Sequence, residues 1–213
     1  MQLTSINIGQ KQTLQSGDKS EITGIFKQPI SGPIQITTLG IAEDFIGSPK
    51  HHGGPDQAVY VYGAKDYEWW AIELGREVDA GTFGENLTIS ELESAKFNIG
   101  DFLHVGEVTL QVTAPRIPCG TFARRMEDPK FVKHFRAAER PGLYCRVIKE
   151  GTVNTGDEVR VETYTGETIS VTQMYRDYYE KNKSEETLRR NLAAPIAVRA
   201  RVDLEEELSK LLK

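Results

Sequence analysis

Between Leu3 and Thr163 the apolar residues fall in short alternating runs closed by glycine or proline, and after residue 166 helical spacing replaces that pattern. Period-two runs bounded by Gly and Pro belong to strands, whereas i, i+3, i+4 spacing belongs to amphipathic helices. The chain therefore reads as mainly β with α: a β-rich domain over 1–166 with a few short helices, then a three-helix extension over 167–213. Its 213 residues are enough to bury a core without covalent staples. Two cysteines, Cys119 and Cys145, argue against a disulfide framework and fit a reducing compartment. The first residues, Met1-Gln-Leu-Thr-Ser-Ile-Asn-Ile8, are too polar for a signal peptide, and no run reaches membrane-spanning length. A net charge of -5 gives no reason to expect nucleic acid. The expectation is a cytoplasmic protein without membrane or nucleic-acid partners; a homodimer is compatible with the sequence.

Along the chain, Leu3 to Gly9, Ile22 to Phe26 and Ile34 to Leu39 read as strands, Lys11 to Ser20 as a polar loop, and Gln28 to Pro33 as a turn. Pro49-Lys-His-His-Gly-Gly-Pro-Asp-Gln57 leads into a strand at Ala58 to Tyr62. Helical spacing of Tyr67, Trp70, Ala71 and Leu74 predicts a helix over Ala64 to Leu74 that Gly75 ends. Strands are predicted at Leu87 to Ile89, at Phe97 to Val105 and Val108 to Thr113 (joined at Gly106-Glu107), within Arg140 to Ile148, and at Glu158 to Thr163; a helix is predicted at Phe131 to Ala138. In the extension, Val171, Met174, Tyr175, Tyr178 and Tyr179 share a helical face behind a Ser170/Gln173 capping box. Ser184 opens a second helix that stops before Pro195, and Arg201 to Leu212 forms a third. Such short helices need one another or the β part for burial.

The chemistry concentrates at Ala114-Pro-Arg-Ile-Pro-Cys-Gly-Thr-Phe-Ala-Arg-Arg-Met126. Cys119 falls at a predicted helix start, with Arg116, Arg124 and Arg125 nearby and Gly120 leaving the sulfur uncovered. Those features favour a thiolate, the form that attacks electrophiles and binds soft metals. The residues alone leave a structural thiol, a nucleophile and a metal ligand open. A Cys–His pairing could draw on His51, His52, His104 or His134. There is no Cys-x-x-Cys, Walker or Rossmann pattern. The glycines of His52-Gly53-Gly54 and Gly84-Glu85-Asn86 can turn backbone N–H groups toward an anion; a plain turn is the alternative at each. On the Arg140–Ile148 strand, Tyr144 and Arg146 share one face while Leu143, Cys145 and Val147 share the other.

Taken together, His52-Gly-Gly-Pro-Asp-Gln-Ala-Val59, Phe83-Gly-Glu-Asn-Leu87, Ile99-Gly-Asp101, Pro115-Arg-Ile-Pro-Cys119 and Gly142-Leu-Tyr-Cys-Arg-Val147, with Gly151 and Gly156-Asp157, resemble the MOSC-domain family, named for the C-terminal domain of molybdenum cofactor sulfurase. The three-helix extension resembles that of the bacterial YiiM-type branch. The resemblance implies a barrel-like β core that binds molybdenum cofactor in its pterin form, with Cys119 as the molybdenum ligand and catalytic residue. It also implies cofactor contacts from His52, Gly53, Gly54, Gln57, Glu85, Asn86, Arg116, Tyr144 and Arg146. Leu143 stands where a tryptophan is common, and Gly120 where an aromatic is common; both concern the walls of the pocket. Pyridoxal phosphate is not expected, because that chemistry belongs to a separate sulfurase domain.

The implied activity is reduction of N-hydroxylated small molecules, such as hydroxylamino-purines, to amines. The cofactor would carry the redox step and the protein would position it. A separate electron-donor reductase is expected, since no flavin, haem or iron–sulfur motif is visible. The alternatives are a non-catalytic carrier of molybdenum cofactor, or of sulfur on Cys119, and an interaction module docking through the extension.

Overall fold

The computed structural model describes residues 1–16, 19–48 and 52–213. Its centre is an eight-stranded sheet in the order β13 (Val159–Glu162), β9 (Phe102–Val105), β10 (Val108–Pro115), β11 (Leu143–Lys149), β7 (Val59–Gly63), β8 (Leu87–Ile89), β1 (Leu3–Gly9) and β4 (Lys27–Ile30). Neighbours run antiparallel except β7 and β8, which are parallel. A parallel pair needs a crossover, and α1 (Ala64–Leu74) lies within it. Gly75 ends that helix in the left-handed conformation, φ 62°, donating its N–H back to Ile72 O. Beside the main sheet lie a three-stranded sheet, β12 (Gly151–Val153), β5 (Ile34–Thr37) and β6 (Gly40–Ile41), and a ribbon of β2 (Gln12–Ser16) and β3 (Lys19–Thr23).

Three sequence-based expectations change. The polar segment from Lys11 to Ser20 is largely the β2–β3 ribbon, not a loop. Its two strands pair only with each other, Ile22 remains 47% exposed, and the buried Thr23 is polar, so the ribbon leaves no hydrophobic period. Lys27–Ile30 is a strand through Pro29, because β4 is a sheet edge where a missing N–H breaks no ladder. The barrel is not closed: β13 and β4 are the two edges of the sheet. The gap is spanned only in part. Leu3 N–H donates to Asp157 O at 2.9 Å, Gly156 N–H to Leu3 O at 2.7 Å, and Val159 N–H to Met1 O at 2.9 Å. The sheet is curled and its rim is tied by the N-terminus.

Pleat alternation divides the interior in two. Val59 and Val61 of β7, with Leu143, Cys145 and Val147 of β11, join an aliphatic core that also takes in Leu3, Ile6, Leu87, Leu103 and Val112. Tyr60 and Tyr62 of β7 and Tyr144 of β11 join an aromatic core on the other side. There Trp70 of α1, Phe83, Phe122 of α2 (Gly120–Arg125) and Phe131 and Phe135 of α3 (Phe131–Ala138) pack together, with Trp70 and Phe135 stacked at 5.7 Å. The tail comprises α4 (Val171–Tyr178), α5 (Glu185–Ala193) and α6 (Val198–Leu211). Val171, Met174, Ala194 and Ile196 enter the aliphatic core of the sheet, so the tail packs on the β part. Ser170 and Ser184 cap α4 and α5, each accepting an N–H at 3.1 Å. The third helix starts three residues before its expected position at Arg201, because the Asp56 carboxylate accepts the Val198 N–H at 2.7 Å from far along the chain. Among the described residues no helix is long and apolar enough to cross a membrane.

Trp70 is fully buried at the centre of the aromatic core. Replacing it by alanine is expected to lower the unfolding free energy by about 3–5 kcal/mol in urea denaturation. A loss below about 1 kcal/mol would mean that the core behind α2 does not support the fold as described.

Candidate functional site

The site grows from the end of β10. That strand pairs with β11 as far as Pro115↔Leu143, and the chain then leaves the sheet through Arg116, Ile117 and Pro118. Pro115 and Pro118 have no N–H, so neither can prolong the ladder. Cys119 is the N-cap of α2 in extended conformation, and its carbonyl accepts the Phe122 and Ala123 N–H groups at 3.1 and 3.2 Å. The sulfur is half-buried, beside the aromatic core.

Two clefts meet at Cys119. The first, about 90 Å³, is lined by Lys27, Asp44, Tyr60, Asn86 and Arg116. The second, about 420 Å³, lies between the Pro115–Pro118 segment and the tail residues Met174, Tyr178 and Asp203. His52, Gln57, Cys119 and Tyr144 line both.

Burial pushes the Cys119 thiol up. A hydrogen bond with the His52 side chain, the Phe122 backbone N–H and the Arg116 charge outweigh that and hold it at about 6. Cys145, fully buried in mid-strand, is pushed up by burial alone. Arg116 is itself buried, which opposes its charge, but the Tyr60 and Tyr144 hydroxyls and the Cys119 sulfur raise it overall. Its guanidinium donates to the Phe83 carbonyl and lies 4.4 Å from the Phe122 ring centre. Gly84, at φ 72°, runs against this group: a Cβ there would sit 3.1 Å from the guanidinium. Lys27 is lowered by burial against the opposing pull of Asp44, with which it pairs. Asn86 donates to the same Asp44 carboxylate at 2.9 Å and accepts the Tyr60 N–H at 3.1 Å. The Lys27–Asp44 pair is close to neutral and Glu21, which also lines the cleft, is paired with Arg124, so Arg116 supplies the positive charge there.

The expected site residues divide by position. His52, Gln57, Asn86, Arg116, Cys119 and Tyr144 come together around the first cleft, where Gly84 is also found. Glu85 does not line it. Its Oε1 accepts from the Tyr67 hydroxyl at 2.6 Å, Gly81 N–H at 2.7 Å and the Thr88 hydroxyl at 2.9 Å, and it braces the loop from within the core. Arg146 shares the Tyr144 face but is turned to the tail, pairing with Asp56 at 3.0 Å and donating to the Pro195 and Ile196 carbonyls at 3.2 and 2.9 Å. Gly53 and Gly54 line neither cleft; Gly54, at φ 92°, precedes the 3₁₀ turn Pro55–Gln57. His104 pairs with Glu162 and His134 with Glu73, both away from the clefts, and His51 lies outside the described residues. Lys27, Asp44 and the tail residues were not anticipated. Lys27 and Asp44 are joined across a 17-residue separation that no local pattern announces.

Among the described residues no group of three or more His, Cys, Asp or Glu is placed to hold a metal ion. A metal bound at Cys119 therefore has to bring its other ligands with it. Alkylation of Cys119 by iodoacetamide is expected to rise through pH about 6 and then level off, as the thiolate replaces the thiol, with Cys145 unmodified in the folded protein. His52→Ala should move that midpoint upward. A Cys119 midpoint at the ordinary thiol value would contradict the geometry.

The sequence model of the MOSC domain family matches residues 48–160. The chain is 33% identical over 189 residues to the uncharacterized protein YflK of Bacillus subtilis, covering 89% of this chain and 86% of YflK. It is 34% identical over 144 residues to a Gibberella moniliformis protein named Reductase, covering 65% of this chain but only 26% of that protein. The crystal structure of YiiM from Geobacillus stearothermophilus has the same fold, with a TM-score of 0.79 at 24% identity over 97% of this chain and 98% of that one, so the likeness includes the helical tail. With the family match spanning more than half of its length and YflK related along most of it, this chain belongs to the MOSC domain family.

Proposed function

We propose that this protein holds the pterin form of molybdenum cofactor in the cleft beside Cys119 and reduces N-hydroxylated compounds, such as hydroxylamino-purines, to amines. The MOSC family is a molybdenum-cofactor-binding family, and a relative of this chain is named Reductase. The observation that carries the reading is a thiol held near pKa 6 where a cleft with buried donors meets a second, open one. The donor set suits the group. A thiolate is a soft ligand for a thiophilic metal, and Arg116 offers charge and N–H donors to an anionic group, with Lys27, Asp44 and Asn86 forming a bonded polar wall beside it. Gly84 keeps the space beside Arg116 free of a side chain.

When bound, the cofactor supplies a two-electron redox couple. The overall change is R–NH–OH plus two electrons and two protons giving R–NH2 plus water: the N–O bond breaks and the oxygen leaves as water. Both electrons come from a separate reductase protein. In this reading Cys119 Sγ is the protein's metal ligand. His52 hydrogen-bonds that sulfur and favours its thiolate. Tyr144 walls both clefts and limits water at the sulfur. Glu85 and Arg146 act at a distance, the first bracing the Gly84–Asn86 loop and the second fixing the tail.

Protein made in a cofactor-competent host is expected to carry molybdenum and to reduce a hydroxylamino-purine with reduced methyl viologen as donor. Cys119→Ser should lose most of the metal and the activity. Equal molybdenum in both proteins would remove Cys119 from the assigned role. Bound molybdenum without turnover would favour a carrier.

A further inference from the structure

We infer that the tail-walled cleft receives the substrate and that Tyr178 is the platform on which a planar N-hydroxylated heteroaromatic ring stacks. This rests on the proposed function, and it assigns the two clefts different tasks. Both reach Cys119, but their walls differ in kind. The first ends in buried polar groups: the bonded Lys27–Asp44–Asn86 set and the Arg116 guanidinium, whose charge suits an anionic group. The second is larger and flanked on the sheet side by Pro115, Ile117 and Pro118, with Met174 and Tyr178 opposite, Arg199 and Asp203 at its outer edge and His52 and Gln57 toward the sulfur. Apolar and aromatic walls with both a donor and an acceptor at the edge suit a flat heteroaromatic ring that carries N–H groups and ring nitrogens. With the first cleft filled, the second is the remaining described approach to the sulfur.

Tyr178 stands out on α4. Val171, Met174 and Tyr175 of the same helix are buried, while Tyr178 is 58% exposed and lines the cleft. Its ring is not free to swing. It meets Tyr179 edge-on at 5.1 Å; Tyr179 meets the buried Tyr175 edge-on at 5.4 Å and carries the Arg136 guanidinium 3.9 Å above its ring. An exposed aromatic held in place by a buried aromatic chain loses little freedom when a second ring stacks on it. Substrate stacking then places the tail, which lies outside the residues matched by the MOSC family, in control of which N-hydroxylated compounds are accepted.

The test compares wild type, Tyr178→Phe and Tyr178→Ala as full-length protein. In unloaded protein, calorimetric titration with a hydroxylamino-purine should show affinity reduced about tenfold in Tyr178→Ala and largely kept in Tyr178→Phe, the size expected of one aromatic stack. In loaded protein, the ratio of kcat/KM for the hydroxylamino-purine to that for hydroxylamine, which has no ring, should fall by a similar factor in Tyr178→Ala, with molybdenum content as in wild type. An unchanged ratio and unchanged purine affinity would overturn the inference, as would equal losses on both substrates. Ring-dependent binding in a protein that holds no molybdenum would leave the cleft assignment standing and defeat the proposed function instead.

Discussion

The β10–β11 ladder is the interaction on which the site depends. Its register, Leu110↔Val147 through Pro115↔Leu143, puts Tyr144 opposite Ala114, one residue before the chain leaves the sheet toward Cys119. One side chain on this ladder, Thr113, bonds both the Tyr144 carbonyl at 3.0 Å and the Asp56 carbonyl at 2.6 Å. It thereby ties the His52–Gln57 segment to the same strand pair. Asp56 in turn accepts the first N–H of α6 and pairs with Arg146. Cleft floor, glycine turn and tail are thus all referred to one ladder. A one-residue slip would exchange the Tyr144 face for the Cys145 face and dissolve both clefts.

Electrostatics in the clefts owe little to the net charge of the chain. The protein is acidic overall, yet Arg116 lies buried and positive against a favoured thiolate. The nearby carboxylates do not cancel it, and Glu21 at the cleft wall is paired with Arg124. Asp44 is committed to Lys27 and Asn86, and burial pushes Glu85 up, toward its neutral form, despite the three donors on its Oε1. A cation and a thiolate thus share one walled cleft, the pairing on which the proposed cofactor site rests.

Local features announced much of this arrangement. The stop at Gly75, the caps at Ser170 and Ser184, the position of Cys119 at a helix start and the division of β11 into a Tyr144 face and a Cys145 face all follow from residues within a few positions of each other. What escaped depends on distant pairing. The β2–β3 ribbon buries the polar Thr23 and exposes Ile22, and so has no hydrophobic period. Lys27 falls between an expected strand and an expected turn, and nothing marks it until Asp44 folds against it. Arg146 shares the Tyr144 face, as alternation requires, but its reach is claimed by Asp56 and the tail carbonyls. Open or closed, a curled sheet has the same local pattern, because closure is decided where β4 and β13 would have to meet. The family resemblance implied the metal ligand, while the reason Cys119 is deprotonated lies in His52, Arg116 and the helix start.

The central claim is that Cys119 completes a metal's sulfur shell, the cofactor bringing the rest. X-ray absorption at the molybdenum K-edge of loaded protein measures this directly. The account predicts one more sulfur neighbour at molybdenum in wild type than in residual loaded Cys119→Ser. The same sulfur count in both proteins would contradict it.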